Sequence, residues 1–415
     1  MTEINRRKFL IAGAGVGAAG LLGGVAAVSW PALQRASEHT PIADDAGILV
    51  IVTLYGGNDG LSTVIPYADN RYHDARPELA YAPSEVLPLD GELGLNPAMT
   101  GLAGLWGEQR LAVVRGVTYP KPDRSHFRSM DIWQTASPDE PVSTGWIGRW
   151  LDATGDDPLR AINVGAVLPV MAVGEKQTAS ALMGDSSPVS APLEGVLSAL
   201  GTDDPDDTSQ MSAICSAYRA TKTVGAAMAP VLGTGDPTLS LDPNAGGLSL
   251  TGSPGQGENP LADRLAVVGK CVKAGVPTRV YMVALGGFDT HSDERGPQQQ
   301  LLGLVDAALT PFLRDMSQDR YGRNVVAMVY SEFGRRVAAN ASQGTDHGTA
   351  GPVLLAGVPV QGGFYGEQPS LTDLDDGDLK GSVDFRDVYH ELLVGTLATD
   401  PEPSVGGNRR TLGFL

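Results

Sequence analysis

Short apolar runs recur along this chain, and two of them lead through a Gly-Gly turn to an acidic residue. Ile48–Leu54, residues 111–117, Val280–Leu285 and residues 325–329 are the clearest, and residues 352–356 form another. Runs of aliphatic residues without polar alternation read as strands covered on both faces, as in a parallel sheet. Between them, residues 102–106, 145–151, 261–273 and 298–316 space their apolar side chains at helical intervals. A further amphipathic helix opens at Ser125, with Phe127, Met130 and Ile132 or Trp133 on its inner side. Residues 385–397 make a last helix carrying His390, which is assigned with His73 to structure. Strands alternating with helices predict an α/β fold, a mainly parallel, doubly wound sheet flanked by helices.

The pattern weakens in the middle of the chain. Residues 160–175 read as two short strands around Ala166 and Val167, and composition shifts after Thr178. Residues 193–200 and 209–228 have helical periodicity, separated by an acidic turn at Asp203 to Asp207. Residues 234–260, rich in Gly, Pro and Ser, read as a long loop. Residues 176–260 are therefore expected to form an insertion or cap on one α/β domain spanning 47–415, with 30–46 as a linker and 1–29 as a leader.

The chemistry sits where strands stop. Residues 325–329 run through Ser331 into Glu332, and Val280–Leu285 runs through Gly286-Gly287 to Asp289 and His291. Ile48–Leu54 runs through Gly56-Gly57 to Asp59, and Asp346-His347-Gly348 precedes the last apolar run. Open α/β sheets collect ligands at the carboxyl ends of their strands. Carboxylates and imidazoles gathered there are donors for a divalent metal, with Zn, Ca or Mg all open. Ser125 falls at a helix N-terminus, where backbone N–H groups favour an anion. It is either a nucleophile or simply a cap. His126 beside it is an anion-orienting or acid group, or a capping residue. Arg124, Arg128 and Arg335 are either clamps for a tetrahedral oxyanion or surface ion pairs. Trp133, Trp146 and Trp150 read as packing.

The formal net charge of −18 excludes a nucleic-acid partner, which would need a basic footprint. Arg6-Arg7-Lys8-Phe9-Leu10 followed by a Gly/Ala-rich apolar stretch is a twin-arginine export pattern, too weakly hydrophobic for a comfortable membrane span. Membrane contact is expected only through that segment, if it is not cleaved, and the mature protein outside the cytoplasm. The two cysteines, Cys215 and Cys271, are either a disulfide or ordinary core.

RRKFL, LYGGNDGLST, RSHFRSMDIWQT, TGWIGRWLD, GGFDTH, SEFGR and DHGTAGPVLLAGVPVQGG, in this order, resemble the exported bacterial proteins of the domain-of-unknown-function 1501 family. That family is distantly similar to the alkaline phosphatase and sulfatase superfamily. The resemblance implies a parallel sheet carrying a two-metal site, with Ser125 as nucleophile and Asp59, Asp289, His291, Glu332 and His347 as ligands. Phe333 stands in the slot of an expected His, so one metal on Asp289, His291 and His347, or an oxygen-rich site using Asp59 and Glu332, are the alternatives. The function expected is a metal-dependent hydrolase of small phosphate or sulfate esters. The alternative is a secreted, non-catalytic binding protein with a degenerate metal site.

Overall fold

A computed structural model describes residues 26–28, 30–155, 157–165, 168–182 and 258–415. Most of the expected insertion, with Cys215, the expected signal segment up to residue 25, and Ala166 and Val167 lie outside the described residues. The elements that matter here are β1 (Ala26–Val28), α1 (Trp30–His39), β2 (Ile48–Leu54), α2 (Asn70–Ala75), β3 (Leu111–Thr118), α3 (His126–Thr135), α4 (Trp146–Thr154), β4 (Ala161–Val164) and β5 (Ser180–Leu182). They continue with α5 (Pro260–Lys273), β6 (Val280–Leu285), α6 (Arg295–Met316), β7 (Val325–Ser331), β8 (Gly351–Gly357), β9 (Gly363–Tyr365) and α7 (Phe385–Glu391).

The strands make one mixed sheet in the order β1-β5-β4-β6-β2-β7-β8-β3-β9, with a short strand at Val383–Asp384 also paired to β3. Every pairing is parallel except those of β8, which runs against both β7 and β3. At the centre, β2 is buried throughout and β6 and β7 are buried except at Ala284 and Ser331, as the apolar runs require. Within β2, successive side chains serve opposite layers. Val50, Val52 and Leu54 pack with α5 and α6, while Leu49 and Ile51 pack with α3, α4 and α7 around Trp133, Trp146 and Trp150. Helices therefore cover both faces, and the three tryptophans are core.

Some boundaries differ from expectation. Residues 30–39 form a helix, where a linker was expected. The last helix leaves α geometry after Glu391 and finishes as a π-turn over Leu392–Thr396. Phe127 is 79% exposed, because the buried stripe of α3 starts a turn later at Ser129, Met130, Ile132 and Trp133. Cys271 is a buried free thiol, raised by burial to about 12. Among the described residues no helix is long and apolar enough to cross a membrane.

Register fixes where the site must lie. Leu54 pairs with both Leu285 and Ser331, so β2, β6 and β7 end level and send their following loops to the same edge. β3 runs the same way and leads to α3 at that edge, and β8, running backwards, starts there directly after His347.

Candidate metal centre

The three strand-end loops can meet only because two glycines let them approach. Gly56 has φ +116°, and a Cβ there would come within 2.5 Å of the Asp289 nitrogen. Gly57 has φ +69°, and its Cβ would sit 2.2 Å from the Phe333 ring. The buried guanidinium of Arg335 then ties the loops together. Its Nε donates to the Gly57 carbonyl, Nη1 to Thr345, and Nη2 to Gly56, Phe288 and Asp289 Oδ1, the last at 2.7 Å. With its donors spent on backbone and Asp289, Arg335 is a staple and not the oxyanion clamp expected from sequence.

Around Asp289 Oδ1 three imidazole Nε2 atoms converge: His126 at 3.3 Å, His291 at 3.0 Å and His347 at 3.2 Å. The His291 and His347 Nε2 atoms are 3.0 Å apart. The opposite nitrogens of two rings are committed elsewhere. His126 Nδ1 donates to Glu332 Oε1 and His347 Nδ1 donates to the Arg124 carbonyl, each at 2.8 Å. The Arg124 carbonyl can only accept, and Glu332 already accepts from Gly56 N–H and Ser331 Oγ, so these partners assign the proton to Nδ1 and leave Nε2 facing the cluster. His126 Nε2 is buried and has no hydrogen-bond partner; its contact with Asp289 is close but poorly aligned.

This arrangement fits a metal ion. Donors about 2.0–2.1 Å from a tetrahedral zinc lie about 3.3–3.4 Å from one another, and the three Nε2–Oδ1 separations and the His291–His347 separation run from 3.0 to 3.3 Å. Imidazole rings held through the far nitrogen by a carboxylate or carbonyl are the usual support for metal ligands. His126, Asp289 and His347 form a set able to hold a metal ion, the one such group among the described residues.

Electrostatics follow the same geometry. Burial would raise the Asp289 carboxyl, but the close His126 and His347 imidazoles and the Arg335 guanidinium outweigh it and hold the group well below the carboxylate range. Burial would lower His126, yet Asp289 and Glu332 raise it to about 9. His291 is lowered by burial and by the Arg335 charge.

Several expected site residues are engaged differently. Asp59, fully buried, is paired with the equally buried Arg76 through both carboxylate oxygens, one at 3.1 Å, and is not a ligand. Burial opposes its ionisation, but Arg76 prevails and its pKa lies below the ordinary value. Glu332 accepts from Gly56 N–H, Ser331 Oγ and His126, so it supports a ligand from behind. Asp346 is exposed, 3.7 Å from His291 Nδ1. Arg124 pairs with Asp378 and Asp376, and Arg128 with Asp131 and the Pro138 carbonyl. Ser125 is exposed at the N-cap of α3, but its hydroxyl makes no capping bond. Phe333 packs against the His126 and His347 rings, with centroids 4.8 and 4.9 Å away. Where the resemblance implies a His, this chain has an apolar wall.

Sequence reading missed the polar layer beneath the centre. Arg76 also donates to the Val337 and Arg336 carbonyls, Thr345 Oγ1 donates to Glu294, and Gln298 Nε2 donates to Asn58 Oδ1. Arg76, Glu294 and Asn58 sit at helix ends or in loops and Gln298 within a helix, places where polar residues are common and carry no sign of burial.

Residues 204–408 match the model of the family described as Protein of unknown function (DUF1501), a stretch that includes Asp289, His291 and His347 but not His126. No curated protein matches the chain. Among solved structures, the chain is similar to a protein in the alkaline phosphatase superfamily from Vibrio parahaemolyticus, with 11% identity, TM-score 0.42, and 97% of this chain and 78% of that one covered. It is also similar to a 2-O GAG sulfatase, with 10% identity, TM-score 0.35, and 77% and 65% covered. A third is the C-terminal periplasmic domain of EcEptC from Escherichia coli in complex with Zn, with 10% identity, TM-score 0.33, and 76% and 74% covered.

Proposed function

We propose that this protein is an exported metal-dependent hydrolase of small phosphate or sulfate esters, holding one divalent metal on His126, Asp289, His291 and His347. The observation that carries the reading is the convergence of three Nε2 atoms on Asp289 Oδ1, with two of the rings anchored through Nδ1. Three imidazoles with one carboxylate favour zinc or a similar transition ion over Ca or Mg, which prefer oxygen. A metal bound there would supply Lewis acidity to an ester oxygen.

The chain's own residues supply the rest. Glu332 and the Arg124 carbonyl hold two rings in orientation, and Arg335 offsets the Asp289 charge. Phe333 keeps water off one side. The N-terminus of α3 favours an anion, and Ser125 stands there between Arg124 and His126, with its hydroxyl free of a capping bond. That makes Ser125 the candidate attacking group on a phosphate or sulfate ester. Arg6-Arg7, in the leader, supports export of a protein folded with its metal already in place.

The second reading is a secreted metal-holding protein without turnover. It is favoured by the Asp59–Arg76 pair and by Phe333, which together take up positions a second metal would need. Elemental analysis of the full chain folded before export, followed by arylphosphate and arylsulfate assays with and without chelator, separates the two. One metal per chain with chelator-sensitive turnover is expected. Metal without turnover would favour the binding protein, and absence of metal would overturn both.

A further inference from the structure

We propose that His291 is the exchangeable ligand of this centre, the one that yields its place to an anionic oxygen of the substrate, while His126, Asp289 and His347 stay fixed. The proposal rests on the metal reading above and deepens it.

The four donors are not held alike. His126 is anchored through Nδ1 to Glu332, itself fully buried and held by Gly56 N–H and Ser331 Oγ, and His347 through Nδ1 to the Arg124 carbonyl. Both rings also pack on Phe333. Asp289 is gripped by Arg335. His291 has no equivalent. The carboxylate nearest its Nδ1 is Asp346 Oδ1 at 3.7 Å, beyond hydrogen-bond reach, and that oxygen already accepts from Asn340 Nδ2.

Exposure follows the same order. The side chain of His291 is 44% exposed, against 12% for His126, 17% for Asp289 and 23% for His347. Its backbone, in contrast, is fixed: Asn340 Nδ2 donates to the His291 carbonyl, and Gly344 packs against it so closely that a Cβ would come within 2.2 Å. Besides a tilted contact with the His347 ring, centroids 4.7 Å apart, the His291 ring is thus held only at its Nε2 end, on a rigid stem and facing solvent. Rotation about its side-chain bonds suffices to free it. The other two rings would first have to break a buried or half-buried hydrogen bond and leave an aromatic contact.

Metal content, chelator competition and the visible spectrum of the Co(II)-loaded full chain test this directly. His291→Ala is expected to keep its metal with affinity lowered roughly ten-fold, and His347→Ala to lose more than about a hundred-fold. Orthophosphate should alter the Co(II) spectrum of the native protein and should bind His291→Ala roughly ten-fold more tightly, since no ring has to leave. His291→Gln, with circular dichroism on each variant, guards against misfolding. If both His291 variants lose metal as fully as His347→Ala, or bind orthophosphate no better than the native chain, His291 is a fixed ligand and the proposal fails while the metal reading stands. A native protein free of metal would remove the metal reading itself.

Discussion

His126 donates its Nδ1–H to Glu332 at 2.8 Å, and this bond leaves Nε2 as the atom that faces Asp289. The strand-end carboxylate thus acts through a ring supplied by a helix more than two hundred residues earlier in the chain. Glu332→Ala should lower metal affinity by about ten- to a hundred-fold although no donor atom is removed, and Glu332→Gln, whose amide oxygen still accepts, should recover part of it. Chelator competition on the folded variants measures the difference.

Asp59 and Arg76 are each fully buried against the other. Removing one partner strands a buried charge. Asp59→Ala should cost about 3–5 kcal/mol in denaturant unfolding, while the protein that remains folded keeps its metal. Loss of metal in proportion to the donor removed would return Asp59 to the ligand set.

Glu294 gives stability a pH dependence. Its carboxyl is fully buried; burial and the neighbouring Asp59 charge raise its pKa above the ordinary 4.5, with Arg76 opposing. A carboxyl raised on folding binds more protons in the native state, so its contribution is complete below 4.5 and fades as pH rises through the folded value. Stability of the native chain should therefore fall from mildly acidic to mildly alkaline pH. In Glu294→Gln that slope should flatten, which unfolding midpoints across the range would show. An unchanged slope would assign it to other groups.

Ser125 occupies the N-cap of α3 without a side-chain capping bond. Ser125→Ala should then cost less than about 0.5 kcal/mol, below the roughly 1 kcal/mol of a working cap. If Ser125 attacks the ester, the same variant should abolish arylphosphate or arylsulfate turnover with metal content intact. Surviving turnover would show that Ser125 is not the nucleophile.

The strands, and the ends at which chemistry collects, were legible in the residues themselves. Ile48–Leu54 and Val280–Leu285 stand where their apolar runs begin and end, because burial on both faces selects apolar side chains, with Thr53 a buried polar exception in the first run. The same locality placed Asp289 and His291 just past Gly286-Gly287. What each polar side chain does there was settled by tertiary contacts. Asp59 and Glu332 are both carboxylates a few residues past a strand, and sequence treats them alike. Folding gives Asp59 a buried guanidinium and Glu332 an imidazole N–H, so neither remains a ligand. His126, read as an anion-orienting or acid group or a capping residue, meets Asp289 and His347 because β3 delivers α3 to the edge where β6 and β7 end. Arg335, read as an oxyanion clamp or a surface ion pair, is drawn inward by five oxygen acceptors from three loop segments. Buried charge takes whichever partner the fold brings within reach, and that choice depends on residues tens to hundreds of positions away.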